Sequence, residues 1–247
     1  MNTIWHVEAS EDPERPRGGS SDARAPKSAE EFAGRLAEQS VAAGDPTAWF
    51  ERLYAAAEAG QTAVPWDRGA PSPFLTQWAE QRAPTGSSAL IVGCGLGDDA
   101  EFIAGLGFDT TAFDIAPSAI AAARRRFPGS RVHYRVANLL DPPDEWHRAF
   151  DLVVESLTLQ ALPDPPRRTA IAKLGDLVGP AGTLIVIARA REPGQAADGP
   201  PWALTRSEID SLTQTGLEPV RTEDLNDPHY DWPRRWRAEF RRPAPVT

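Results

Sequence analysis

Apolar positions along the chain form short strand-like runs separated by helix-spaced repeats. The runs predict five strands, at 89–92, 108–114, 132–137, 150–155 and 182–188. Apolar residues with helical spacing predict helices near 100–106, 117–126 and 166–177. A helix capped by Thr205 and two closing strands, 217–225 and 235–241, complete the pattern. Alternating strands and helices predict an α/β fold: a doubly wound, Rossmann-like, mostly parallel sheet of seven strands with helices on both faces.

The chain before residue 84 has a different pattern. Residues 1–28 are rich in Pro, Gly, Ser and charge, which predicts a disordered tail. Residues 29–83 predict an N-terminal helical lid: a helix capped by Ser28, an aromatic-rich second helix, and a third near 74–81. The aromatic residues of the second helix fit a core stripe or a lid equally well. Residues 84–247 then form the predicted ligand-binding domain.

A glycine-rich turn follows the first predicted strand. Gly93, Gly95 and Gly97 alternate along it, with Cys94 between the first two. Glycine allows a tight turn and close approach of a ligand, and the next helix presents free N–H groups there. Asp114 ends the second strand about twenty residues later, where an acid binds ribose hydroxyls in nucleotide-type sites. Turn and acid together predict a nucleotide-type ligand.

The spacing of the glycines indicates which ligand. In the dinucleotide pattern G-x-G-x-x-G the last glycine would stand at Asp98, but here Gly97 comes one residue early. A carboxylate at that position repels a pyrophosphate and attracts the sulfonium and ammonium groups of S-adenosylmethionine. The sequence therefore favours S-adenosylmethionine over NAD, and an NAD-dependent oxidoreductase is a remote alternative.

Four successive strands deliver polar or glycine residues to one rim of the predicted sheet. Because ligands in such sheets lie over the carboxyl ends of the strands, these residues should meet at one site. The predicted group comprises the glycine turn Gly93–Gly97, Asp114 with Ile115, Asn138 with Leu139, and Glu155 with Ser156.

Composition limits the partners. The 247 residues carry 26 Lys and Arg against 35 Asp and Glu, a net charge of −9 without a basic stripe, so we expect no nucleic-acid partner. A single cysteine excludes an intrachain disulfide. No apolar run reaches membrane length, and the first residues lack signal-peptide order. We expect a soluble cytoplasmic protein that does not bind membranes, and the oligomeric state, monomer included, stays open.

The histidines give no sign of a metal site. His6, His133, His147 and His229 have no spacing that forms a relay or a ligand set, so no metal is predicted.

Residues 46 to 242 resemble the class I S-adenosylmethionine-dependent methyltransferases, and within them the thiopurine, thiol and thiocyanate/halide methyltransferase group. Ile91 stands where general class I members have an acid, a departure that this group shares. The Pro-Trp-Asp-Arg-Gly loop at 65–69 is similar to a loop before the first strand of that group. The Gly-Pro-Pro-Trp loop at 199–202 resembles its insertion after the fifth strand, and Trp236 fits its last strand.

The resemblance implies an S-adenosylmethionine-dependent methyltransferase (EC 2.1.1.-) that acts on a small-molecule acceptor, with a thiol or other soft nucleophile favoured. O-, N- or C-methylation of a secondary metabolite is the alternative. The run 155–160 departs from the bulkier aromatic run of halide methyltransferases, which weakens halide specificity and leaves room for a larger acceptor. The implied cofactor contacts are Trp49, Tyr54, Trp66, Gly93, Asp114, Asn138, Leu139, Glu155 and Ser156.

The catalytic residues stay open at this point. A thiol with a pKa of about 8.5 supplies some thiolate at neutral pH, so positioning can replace a dedicated base. Trp66, Arg68 and Glu155 are the candidates. The indole of Trp66 either packs on the sheet edge or faces the sulfonium, and Arg68 and Arg189 either steer an anionic acceptor or are ordinary solvated arginines.

Overall fold

The computed structural model describes residues 28–82, 86–197, 199–226 and 233–245. The predicted tail, with Trp5 and His6, lies outside this range except for Ser28, and so does His229. The predicted division into tail, lid and ligand-binding domain stays a prediction.

Helices and strands follow the predicted order closely. The helices are α1 (Ala29–Ala42), α2 (Ala48–Glu58), α3 (Pro73–Arg82), α4 (Asp98–Gly105), α5 (Pro117–Arg126), α6 (Pro166–Leu177) and α7 (Arg206–Asp210). The strands are β1 (Ser88–Val92), β2 (Asp109–Asp114), β3 (His133–Val136), β4 (Phe150–Ser156), β5 (Val178–Arg189), β6 (Glu218–Asn226) and β7 (Arg234–Arg241). Short 3-10 turns at Asp144–Trp146, Leu159–Ala161 and Ser211–Thr215 were not predicted.

The seven strands form one sheet in the order β3-β2-β1-β4-β5-β7-β6. Strands β1 to β5 pair in parallel, whereas β7 runs antiparallel to both β5 and β6. The predicted α/β fold class, a Rossmann-like and mostly parallel sheet, is confirmed. The strict βαβ alternation continues through α7 to β6 and ends there, because β7 lies antiparallel between β5 and β6.

Alternating side chains of the central strands build a core on each face of the sheet. On one face, Leu90 and Val92 of β1 pack in a cluster with α6. On the other, Ile91 packs in a cluster with α3, α4 and α5. The central strands are therefore buried on both sides, as their apolar runs predict.

The first two helices lie above the carboxyl edge of the sheet. They pack together through Leu36, Trp49 and Leu53, and Ala161 in the 3-10 turn after β4 packs against this cluster. Glu51 of α2 also accepts hydrogen bonds from the backbone N–H of Ser118, at 3.0 Å, and from its hydroxyl, at 2.6 Å. This contact fixes α2 to the first turn of α5.

Candidate active site

A cleft of about 670 Å³ lies over the carboxyl ends of β1, β2 and β4. All the predicted cofactor residues except Glu155 line it: Trp49, Tyr54, Trp66, Gly93, Cys94, Gly95, Gly97, Asp114, Ile115, Asn138, Leu139 and Ser156. Arg68 and Arg189 line it as well. The rim predicted from the strand ends therefore exists as one concave surface.

The glycine turn is crowded by hydroxyl-bearing side chains. Gly93 has φ +60°, and a Cβ there would lie 2.3 Å from Oγ1 of Thr158. Gly97 has φ +99°, and its Cβ would lie 2.4 Å from the hydroxyl of Tyr134. Backbone conformation and space both require glycine at these two positions.

Asp114 holds the turn from below. Its Oδ2 accepts a hydrogen bond from the N–H of Gly95 at 3.0 Å, and its Oδ1 accepts from the N–H of Ala116 at 2.9 Å. Burial raises the pKa of this carboxyl to about 6, although these backbone donors act in the opposite direction. A carboxylate has about four lone-pair sites, more than these backbone donors use, so it can also accept a hydrogen bond from a ligand.

Three aromatic side chains cover the turn. Trp66 Nε1 donates to the hydroxyl of Tyr54 at 3.0 Å, and the two rings meet edge-on with centroids 6.1 Å apart. Trp49 meets Trp66 edge-on at 6.0 Å. A Cβ on Gly95 would lie 2.9 Å from the Tyr54 hydroxyl. Trp66 is 37% exposed whereas Tyr54 is 4% exposed, so Trp66 is the outer member of the cover.

The loop that carries Trp66 is fastened to the start of α4. Arg126 pairs with Asp67 of the loop at 3.0 Å and with Asp98 at 3.4 Å. The carboxylate of Asp99 accepts a hydrogen bond from the N–H of Ser72 at 2.6 Å. Burial raises the pKa of both Asp98 and Asp99.

Glu155 lies under the cleft wall rather than on it. Its side chain is 0% exposed, and its Oε1 accepts hydrogen bonds from the N–H of Thr158 at 2.6 Å and of Leu159 at 2.9 Å. Burial raises the pKa of Glu155 to about 7. In this position it shapes the turn after β4, while its neighbour Ser156 reaches the cleft.

Sequence reasoning singled out only part of the wall farthest along the sheet, namely Arg189 and the 199–202 loop. The wall comprises Gln160 to Leu162 after β4, the end of β5, the prolines of the 199–202 loop and Arg235 at the start of β7. Arg189 and Arg235 are register partners on the antiparallel strands β5 and β7. No local sequence signal identifies Gln160 to Leu162 or Arg235, because their placement depends on strand order and direction.

Two features are absent from the described ranges. Those residues contain no cluster of three or more His, Cys, Asp or Glu side chains suited to a metal ion. No helix among them is long and apolar enough to cross a bilayer.

Comparison with known families agrees with this geometry. Residues 89–182 match the family described as a methyltransferase domain. A ubiquinone biosynthesis O-methyltransferase from Xanthomonas axonopodis pv. citri (strain 306) is 34% identical over 143 residues, 53% of this chain and 59% of that protein. A probable thiol methyltransferase 2 from Arabidopsis thaliana is 26% identical over 170 residues, 68% of this chain and 74% of that protein. The chain thus spans little more than half the length of the first of these relatives.

Solved structures share the fold. The N-methyltransferase NodS from Bradyrhizobium japonicum WM9, in complex with S-adenosyl-L-homocysteine, superposes with a TM-score of 0.57 at 25% identity, covering 70% of this chain and 89% of that one. Residues 89–182 therefore resemble a methyltransferase domain, and the fold is that of S-adenosylmethionine-dependent class I methyltransferases, as predicted.

Proposed function

We propose that the protein transfers a methyl group from S-adenosylmethionine to a small-molecule acceptor, favouring a thiol or other soft nucleophile. The observation that carries the proposal is the single cleft in which the glycine turn, Asp114 and the aromatic cover meet. This arrangement supports a nucleoside ligand at the β1–β2 end, with space beside it for a second molecule.

The acidic residues at the β1–β2 end of the cleft fit the cationic cofactor. Asp98, Asp99 and Asp114 all line this part of the cleft, and an indole face of Trp66 attracts a sulfonium. Asp114 would hold the ribose hydroxyls, and Asn138 with Leu139 would border the base. S-adenosylmethionine supplies an electrophilic methyl group on a positively charged sulfur, which the acceptor takes by in-line displacement.

Charge changes sign along the rim. Asp114 and the acidic pair at the start of α4 lie at the β2 and β1 ends, whereas Arg189 and Arg235 lie at the β5 and β7 ends. Glu30 of α1 and Arg68 also line the cleft and depart from this simple division. Two guanidinium groups at one end attract an anion, which supports an acceptor that reacts as a thiolate or another ionised nucleophile.

Positioning is sufficient for the chemistry of such an acceptor. No histidine occurs among the described residues that line the cleft. Holding the two reactants in line can contribute up to about 7–11 kcal/mol without a base. Burial and the nearby Asp114 raise the pKa of Cys94, so its thiol stays protonated and does not compete as a nucleophile.

An oxygen acceptor is the second candidate, and the relatives support it. The O-methyltransferase relative has the higher identity, 34%, whereas the thiol methyltransferase relative aligns over more of the chain, 68%. Both relatives carry small-molecule methyltransferase names, so methyl transfer is common to the two candidates and the acceptor atom distinguishes them.

The test measures turnover to S-adenosylhomocysteine with matched panels of thiols, phenols and halides. We expect a thiol to give the highest kcat/KM, with Asp114→Ala as the control that weakens cofactor binding. A phenol with a higher kcat/KM than every thiol would refute the thiol acceptor and favour the second candidate, an oxygen acceptor. Absence of S-adenosylmethionine binding in calorimetry would refute both.

A further inference from the structure

Gln160 connects three separate segments of the cleft wall. It lies in the 3-10 turn Leu159–Ala161, is 3% exposed and lines the cleft. Its side-chain Oε1 accepts a hydrogen bond from the backbone N–H of Arg189 at 2.6 Å. Its main-chain oxygen accepts one from the N–H of Trp202 at 2.7 Å. The turn, the end of β5 and the 199–202 loop are therefore joined through one residue.

The turn that carries Gln160 is itself held from beneath. Glu155 accepts hydrogen bonds from the N–H groups of Thr158 and Leu159, so the backbone that leads into Gln160 is fixed to β4. On its other side, Ala161 packs against the cluster formed by α1 and α2. Gln160 is thus held in place from two directions before it makes its own two contacts.

These contacts lie away from the glycine turn. The segments that Gln160 holds contribute Arg189 and the Pro200–Pro201 pair to the cleft, at the end of the rim opposite Asp114. Asp114 and Gly95 make their hydrogen bonds to one another and to Ala116, with no part for Gln160. A change at Gln160 should therefore move the acceptor wall and leave the cofactor end in place.

We propose that Gln160 is a positioning residue that fixes the acceptor-side wall and so determines which acceptors fit, without contributing to cofactor affinity. The proposal rests on the proposed function, which assigns this wall of the cleft to the acceptor. Gln160 acts through Arg189 and the 199–202 loop, which would contact the acceptor directly. A side chain of similar volume that cannot accept a hydrogen bond would release the backbone N–H of Arg189, whereas the main-chain bond to Trp202 would remain.

The test is Gln160→Met with Gln77→Met as the matched control. Gln77 Oε1 accepts a hydrogen bond from Arg237 at 2.9 Å outside the cleft lining, so its variant also loses a glutamine acceptor. Hydrogen exchange followed by mass spectrometry should show faster exchange in peptides covering 186–191 in Gln160→Met only, because the side chain holds the N–H of Arg189. Peptides covering 199–204 should change less, because Trp202 donates to the main-chain oxygen of residue 160. Peptides covering the glycine turn should exchange at the wild-type rate in both variants.

Binding and kinetics complete the test, with thiophenol as the acceptor probe. For Gln160→Met we expect the KM for thiophenol to rise about fivefold, the effect of losing one ordinary hydrogen bond. Its dissociation constant for S-adenosylhomocysteine should stay within about twofold of wild type in calorimetry.

Three results would overturn the proposal: unchanged exchange in the 186–191 peptides, an unchanged KM despite faster exchange, or a cofactor affinity that falls as much as KM rises. If wild type fails to bind S-adenosylhomocysteine, the proposed function fails, and the exchange result still decides whether Gln160 holds the wall. If wild type binds the cofactor but does not methylate thiophenol, the acceptor part of the proposal is refuted.

Discussion

The substitution Asp114→Asn has two opposing effects on the free energy of unfolding. The pKa of Asp114 is raised from 3.8 to about 6 in the folded protein, so its ionised form is disfavoured by about 3 kcal/mol. Asparagine removes that charge but keeps one acceptor oxygen, so the N–H of Gly95 or of Ala116 loses its partner at a cost of about 1–3 kcal/mol. The two effects nearly cancel above pH 6.

The sign of the pH dependence follows from the direction of the shift. Because the folded pKa is above the unfolded value, wild type loses stability as pH rises from about 4 to about 6, and the Asn variant lacks this loss. Relative to wild type, the variant should gain about 3 kcal/mol between pH 4 and pH 7.5. Thermal melts of both proteins across this range measure the difference.

Cofactor binding should change in the opposite sense. Wild-type affinity for S-adenosylhomocysteine should rise as Asp114 ionises near pH 6, because a carboxylate is the stronger acceptor for ribose hydroxyls. At pH 8 the Asp114→Ala variant should lose about 1.5–3 kcal/mol of binding free energy, and Asp114→Asn should lose less. Calorimetry at several pH values tests this. Equal affinity in all three proteins would mean that the ribose is held elsewhere, and a melting difference independent of pH would refute the buried-charge argument.

Four other substitutions, at three places in the structure, give separate checks. Trp66→Leu should weaken binding of S-adenosylmethionine by about 0.5–2 kcal/mol more than binding of S-adenosylhomocysteine, because it removes the indole face for the sulfonium together with the hydrogen-bond donor to Tyr54. Equal losses of affinity for the two ligands in calorimetry would contradict this. Glu155→Gln should have a higher Tm than wild type above pH 7 and the same Tm below pH 4.5. The reason is that the folded pKa of Glu155, about 7, makes wild type lose stability as pH rises from 4.5 to 7. A Tm difference that is the same at pH 4.5 and above pH 7 would contradict this. Glu51→Ala should lower the free energy of unfolding by about 1–3 kcal/mol in melts and weaken cofactor binding in calorimetry, and Ser118→Ala should give a smaller loss in both. An unchanged Tm would show that the contact between Glu51 and Ser118 does not anchor α2.

Most of the sheet was predictable because its signals are local. The strand β1 and the turn after it are a run of apolar residues followed by alternating glycines, and both lie where the pattern predicts. The direction of β7 was not predictable in this way, since alternation of side chains is the same in parallel and antiparallel strands. The early start of β5 at Val178 was hidden by Gly179 and Pro180, which usually interrupt a strand.

The site shows the same division between local and tertiary information. Asp114 and Glu155 are both acids at strand ends, yet one lines the cleft and the other lies under its wall, because neighbouring residues of a strand point to opposite sides. Gln160 and the Glu51–Ser118 contact join residues far apart in the chain, so no spacing in the sequence indicates them.

The crowding at Gly93 and Gly97 changes what a glycine motif can be taken to mean. The space beside each glycine is filled by the protein's own Thr158 and Tyr134, so the turn would require these glycines even if no ligand ever approached it. A descendant of this protein that had lost catalysis would still be selected to keep them, for folding alone. In a pseudoenzyme of this lineage the two glycines would persist for that reason, so their presence alone would not mark a working site.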